Sequence, residues 1–217
     1  MEHKSLPLLS AEELRVLGSL LEKSKTTPEY YPMTLNGLQT ACNQKTSRKP
    51  VVNYSESTVT AALDSLKKRG LVSTVIGGGS RVTKYKHNLA IQFPLIPSDL
   101  AILCLLILRG PMTPGEINSN SGRLHEFEGL EDVQEHLNRL SEGDIIYTKQ
   151  LDKRPGQKEM RYVHLLGEVN EEDYDLPTSH EGGSGSKVQE LESRVATLEE
   201  QLAQLRGEFD SLMQELR

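Results

Sequence analysis

One pattern is written twice along this 217-residue chain, and that duplication limits the possible folds more than any single motif does. "SAEELRVLGSLLEK" from Ser10 is echoed by "SDLAILCLLILRG" from Ser98, and "TLNGLQTACNQ" from Thr34 by "TPGEINSNSGR" from Thr113. "VTAALDSLKKRGLVSTV" from Val59 matches "VQEHLNRLSEGDIIYTK" from Val133, and "KYKHNL" from Lys84 matches "RYVHLL" from Arg161. The order of the four pieces is kept. Each unit takes roughly 75–80 residues, about one small domain. Two domains are therefore predicted at 8–90 and 98–167, joined through "AIQFPLIP" at 90–97.

Within each unit the pattern reads helix, helix, helix, hairpin. Ser10 is placed to cap a helix whose Leu14, Leu17, Leu20 and Leu21 recur at helical spacing. Ser55 opens another, with Val59, Ala62, Leu63 and Leu66 on one face and Gly70 at its end. "LVSTVI" and "RVTKYKH" then alternate around Gly77, Gly78 and Gly79 as a β-hairpin. In the second unit Val133, Leu137 and Leu140 form the helical face, Gly143 ends it, and "DIIYTKQL" and "EMRYVHLL" are the strands. The predicted class is mainly α with small β-hairpins (α+β), and three helices followed by a hairpin is the winged-helix arrangement.

Beyond the second unit the composition changes. Residues 168–186 are acidic and then Gly/Ser-rich, the signature of a flexible linker. Residues 187–217 carry heptads: Val188, Val195, Leu202, Phe209 and Leu216 at one core position, Leu191, Leu198, Leu205 and Leu212 at the other. A single amphipathic helix folded back on the body would need a wider apolar stripe, so a coiled coil and a homo-oligomer are predicted. No Asn sits at a core position to fix the register, which leaves dimer and higher oligomer open.

The stretches "TTPEYYPMTLNGLQTACNQKTSRKPV", "GSRVTKYKH", "LRGPMTPGE" and "PGQKEMRYVHL" resemble the YceH-like family of uncharacterised bacterial proteins. The likeness covers about residues 8–167, and "ACNQK" and "GSRVTKY" are its more specific parts. It implies a tandem winged-helix body and, in many members, a C-terminal coiled coil. It implies no activity.

Several chemistries are disfavoured by the residues themselves. A phosphate-binding glycine loop runs from a strand into a helix N-terminus, whereas Gly77–Gly79 lead into a second strand with no Gly-Lys-Ser/Thr. Cys42 and Cys104 each lack a neighbouring cysteine, so no zinc-type pair exists; they lie in apolar surroundings and are expected to be buried and unpaired. No nucleophile elbow, metalloprotease motif or convincing carboxylate pair is present. The expectation is a protein without catalytic residues, metal or cofactor. Its longest apolar run, "AILCLLIL" at 101–108, is far short of the ~20 residues that span a bilayer, and the N-terminus lacks a signal pattern. A cytoplasmic location with no membrane partner is expected.

Charge is more telling. The formal net charge is −6, yet residues 43–88 hold nine basic side chains against two acidic ones. The nine are Lys45, Arg48, Lys49, Lys67, Lys68, Arg69, Arg81, Lys84 and Lys86. Residues 98–170 hold eight basic against twelve acidic, and 171–217 four against twelve. The predicted fold gathers the nine cations from the segment before the third helix, that helix's end and the wing, where they would neutralise the phosphates of duplex DNA. The exposed face of the third helix (Ser57, Thr60, Ala61, Asp64, Lys68) lacks the Arg, Asn and Gln suited to bidentate base reading, so backbone-dominated binding is expected. The "ACNQKTSRKP" segment at 41–50 reads equally well as a contact loop or as turn chemistry. The alternative role is a protein-interaction scaffold, with a protein partner on the acidic second unit, whose third helix carries Glu131, Asp132, Glu135 and Glu142.

Overall fold

The computed structural model describes residues 6–76, 82–153 and 159–168. The predicted linker from residue 169 onward and all nine heptad positions of the tail, Val188 to Leu216, lie outside these residues, as does Arg81.

The chain runs α1 (Ala11–Thr26), a 3-10 turn (Pro28–Tyr30), β1 (Met33–Thr34), α2 (Leu35–Cys42), α3 (Glu56–Lys68), β2 (Val72–Ile76) and β3 (Thr83–His87). A short α4 (Leu89–Gln92) is followed by α5 (Pro97–Arg109), α6 (Pro114–Ser121), α7 (Leu130–Ser141), β4 (Thr148–Gln150) and β5 (Tyr162–His164). The protein is an α+β fold with small antiparallel strand sets, ordered β1-β3-β2 and β4-β5.

Local chemistry explains the helix starts. The Ser10 hydroxyl accepts the Glu13 N–H at 3.3 Å, and the Glu13 carboxylate accepts the Ser10 N–H at 2.8 Å, a reciprocal capping box. Ser55 caps α3 by accepting from the Thr58 N–H at 3.2 Å. Thr34 and Thr113, equivalent in the repeat, cap α2 and α6 through the N–H groups of Gly37 and Glu116. Gly70, with φ +72°, and Gly143, with φ +122°, take the left-handed backbone just beyond α3 and α7 that glycine adopts without steric cost.

Two methionine–tyrosine pairings recur in the strand register. Met33 pairs with Tyr85 in the first unit, and Met112 bridges Tyr162 in the second. The β1 segment was not foreseen as a strand; at two residues it is too short to show any alternation.

The predicted faces are buried: Val59, Ala62, Leu63 and Leu66 of α3, and Val133, Leu137 and Leu140 of α7. The "AILCLLIL" run is buried all round because α5 lies between α1 on one side and α6, α7 and β5 on the other. Among the described residues no helix is long and apolar enough to cross a membrane. Buried residues of both units join in one apolar cluster, and Phe93, from the joint, meets Tyr147 edge-on at 6.0 Å. Cys42 and Cys104 are buried and free, and burial pushes both thiols up.

At Gly18, α1 lies close against α5. A Cβ there would stand 2.7 Å from Ile107 Cγ2 and 2.8 Å from Leu108 Cδ2, both on the interlocked α5. Gly18→Val should therefore force the two helices apart and lower stability by about 1–3 kcal/mol, measurable as a shifted urea midpoint. An unchanged midpoint would show that α5 yields freely.

Candidate nucleic-acid interface

The third helix of the first unit presents the face the sequence suggests. Ser57, Ala61, Asp64 and Lys68 are exposed, and Thr60 is half-buried with its hydroxyl turned back to the Glu56 carbonyl at 2.8 Å. At its C-terminus Lys67 pairs with Asp64 at 2.8 Å; that hydrogen bond raises the ammonium's pKa and lowers the carboxyl's. Arg69, also exposed, reaches Glu13 at 3.4 Å.

The three-stranded sheet sorts its side chains by alternation. Tyr85 packs on the core from the central strand β3, so Lys84 and Lys86 share the opposite face. Their register neighbours are Thr34 and Val75 for Lys84 and Ser73 for Lys86, none of them acidic. Among the described residues no ion pair engages Lys68, Lys84 or Lys86. Lys68 is exposed and Lys84 and Lys86 are half-exposed.

The loop between α2 and α3 is different. Lys45 and Lys49 are exposed, but the loop is tied to α5: the Lys49 N–H donates to the Leu108 carbonyl at 2.8 Å, and Arg109 donates to Ser47 Oγ at 3.0 Å. Arg48 has to be removed from the predicted patch. Its side chain is 0% exposed, and its guanidinium donates to both Glu22 carboxylate oxygens, at 3.0 and 2.6 Å. It also donates to the Ala41 carbonyl at 3.0 Å, closing the C-terminal turn of α2. Burial pushes the Glu22 carboxyl up, but the Arg48 hydrogen bonds and charge outweigh it and hold the pKa below the usual value. Turn and capping chemistry thus governs this segment's interior. Asn43 belongs to it too, accepting the Tyr54 N–H at 2.7 Å and donating to the Tyr54 carbonyl at 2.9 Å.

The same location in the second unit has other chemistry. Exposed charges on α7 are Glu131, Glu135 and Arg139, and Arg139 salt-bridges to the buried Asp99 at the start of α5. Arg161, the counterpart of Lys84, is taken up by Glu116 at 2.7 and 2.8 Å. His87 and His164, the matched hairpin histidines, are inward-facing: burial drives both imidazoles down to about 4. Among the described residues no three His, Cys, Asp or Glu side chains converge as a metal site.

Comparison with known proteins places this geometry in context. Residues 9–157 match a family described as protein of unknown function, DUF480. A UPF0502 protein of Shewanella pealeana is 45% identical over 212 residues, covering 94% of this chain and 98% of its own length. That of Shewanella loihica is 45% identical over 210 residues, with the same two coverages. That of Shewanella oneidensis is 43% identical over 219 residues, covering 96% and 99%.

Proposed function

Because the chain belongs to the DUF480 family, whose relatives carry names but no stated activity, we propose a role from its own residues: non-enzymatic binding of duplex DNA through the phosphate backbone. The first unit would act as a winged helix, with α3 beside a groove and the β2–β3 wing on the sugar-phosphate chain. The observation that carries this reading is the placement of three cations that no ion pair engages among the described residues: Lys68 at the end of α3, and Lys84 and Lys86 on the outward face of β3. Exchanging a lysine's counter-ions for DNA phosphates is favourable through ion release, and needs no base-specific side chain. A cytoplasmic setting and self-association through the heptads at 188–216 complete the proposal; pairing copies would double the number of phosphate contacts.

The test is a salt titration. The full chain and a Lys68→Ala/Lys84→Ala/Lys86→Ala variant are titrated with a fluorescent 30-base-pair duplex from about 50 to 200 mM salt, read by anisotropy. The variant should bind more weakly at every salt concentration, with the log–log slope reduced by roughly one per lost contact. Equal affinity and slope in a variant of unchanged helical content would end this reading.

A second reading, an interaction scaffold, is favoured by one observation: the second unit's α7 presents Glu131 and Glu135 at the repeat positions where α3 has the uncharged Ser57 and Ala61.

A further inference from the structure

The second unit contains a concavity that the DNA-binding proposal leaves unused. It has a volume of about 250 Å³ and lies between the N-terminal ends of α6 and α7 and the β4–β5 pair, where Leu130, Gln134, Gln150, Met160, Tyr162 and the carboxylate-bearing Glu159 are among its lining. Leu130 and Met160 are large apolar residues left 50% and 42% exposed. In the repeat they stand where the first unit has Glu56 and Thr83, so the second unit places apolar groups where its sister presents polar ones.

The floor is ordered rather than loose. Tyr162 is buried, and its hydroxyl accepts from the Gln134 amide at 2.7 Å and the Gln150 amide at 3.2 Å. With both bonds accepted, the phenolic proton is left to donate, which suits a peptide carbonyl.

Charge identifies what fits. From Leu124 to Asn138 the chain carries Glu126, Glu128, Glu131, Asp132 and Glu135 and no Lys or Arg. All four glutamates are exposed, and Glu131 and Glu135 lie on α7, the helix that supplies Leu130 and Gln134. An apolar slot with Glu159 in its lining, bordered by a helix that carries Glu131 and Glu135, attracts cationic partners and repels DNA.

We propose that this groove docks a short segment of another protein: one large apolar side chain seated between Leu130 and Met160, flanked by Lys or Arg facing the α7 carboxylates. Apolar burial supplies the affinity and the carboxylates select the flanking charge. The chain would then join DNA through its first unit to a basic protein segment through its second. The docking half stands on its own residues and holds whether or not the first unit binds DNA.

The probes are three fluorescent 12-residue peptides of alternating Lys/Leu, Lys/Ser and Glu/Leu, titrated into the full chain at physiological salt. The Lys/Leu peptide should bind at least tenfold tighter than either of the others, and Leu130→Ser or Met160→Ser should each weaken it by about tenfold. Ile91→Ser, which alters an apolar residue of α4 that is 75% exposed, should leave it unchanged. Both groove positions are at the surface, so the variants should keep the parent's circular dichroism. The inference is overturned if Lys/Ser binds as well as Lys/Leu, since charge alone would then suffice. It is equally overturned if the groove variants bind like the parent, or if they shift the sedimentation of the peptide-free chain, which would make a second copy the occupant.

Discussion

Replacing Arg48 by alanine should destabilise the protein by roughly 3–5 kcal/mol, the cost of leaving a buried charge without its partner. The side chain is wholly enclosed and the Glu22 side chain is 15% exposed, so solvent cannot replace the two hydrogen bonds that Glu22 loses. The Ala41 carbonyl at the end of α2 loses its donor in the same step. Arg48→Lys should recover only part of the loss, because an ammonium cannot span both carboxylate oxygens and the carbonyl as a planar fork does. Pairing Arg48→Met with Glu22→Leu should recover more than either single change, since it removes the orphaned carboxylate. Urea denaturation of these variants measures all of this. A loss below about 1 kcal/mol for Arg48→Ala would place the pair among weak surface bridges and restore Arg48 as a candidate for phosphate contact.

Acid should unfold this protein early, through two hairpin histidines, His164 buried and His87 half-buried. Each imidazole has a folded pKa of about 4 against an ordinary 6.5, and burial is the leading cause. Below 6.5 the unfolded chain takes up protons that the folded chain refuses, so stability falls with pH until the folded imidazoles also titrate. The contribution is complete above pH 6.5 and is lost progressively down to about 4. At about 1.4 kcal/mol per pH unit and site, the loss approaches roughly 3 kcal/mol for each histidine. Neither ring's Nδ1 has a hydrogen-bond partner among the described residues, so an added proton there meets no acceptor. A series of urea melts between pH 7.5 and 4 should show this fall, and a His87→Gln/His164→Gln variant should show a shallower one. Equal slopes in parent and variant would assign the acid sensitivity to carboxylates such as Glu22, whose lowered pKa also makes its stabilisation fade as pH drops.

Much of this architecture is written in local sequence. Ser10, Ser55, Thr34 and Thr113 cap helices through bonds three residues away. The spacing of Val59, Leu63 and Leu66, and of Val133, Leu137 and Leu140, marks the buried faces because one turn of helix returns each residue to the same side. Repetition of these signals reveals the duplicated plan without any long-range contact. The β1 pairing of Met33 with Tyr85 is invisible at that level, since its partner lies over fifty residues away and two residues carry no period.

The candidate interface divides the same way. Nine cations in one stretch are legible as a basic region; in the fold Lys68 is exposed and Lys84 and Lys86 are half-exposed. In sequence Arg48 cannot be told from Lys45 and Lys49; only the fold brings Glu22, 26 residues earlier, against it and turns a surface charge into a buried clamp. The groove of the second unit depends likewise on Leu130 and Met160, thirty residues apart, meeting across α7 and the β4–β5 pair. Sequence alone determined the helices, their inward faces, the duplication and the uneven distribution of charge, because each follows from the chemistry of a few neighbouring residues. Tertiary structure decided which charges face water, where the two units touch at Gly18 and which apolar residues stay uncovered, because burial is set by whatever residues the rest of the chain brings alongside.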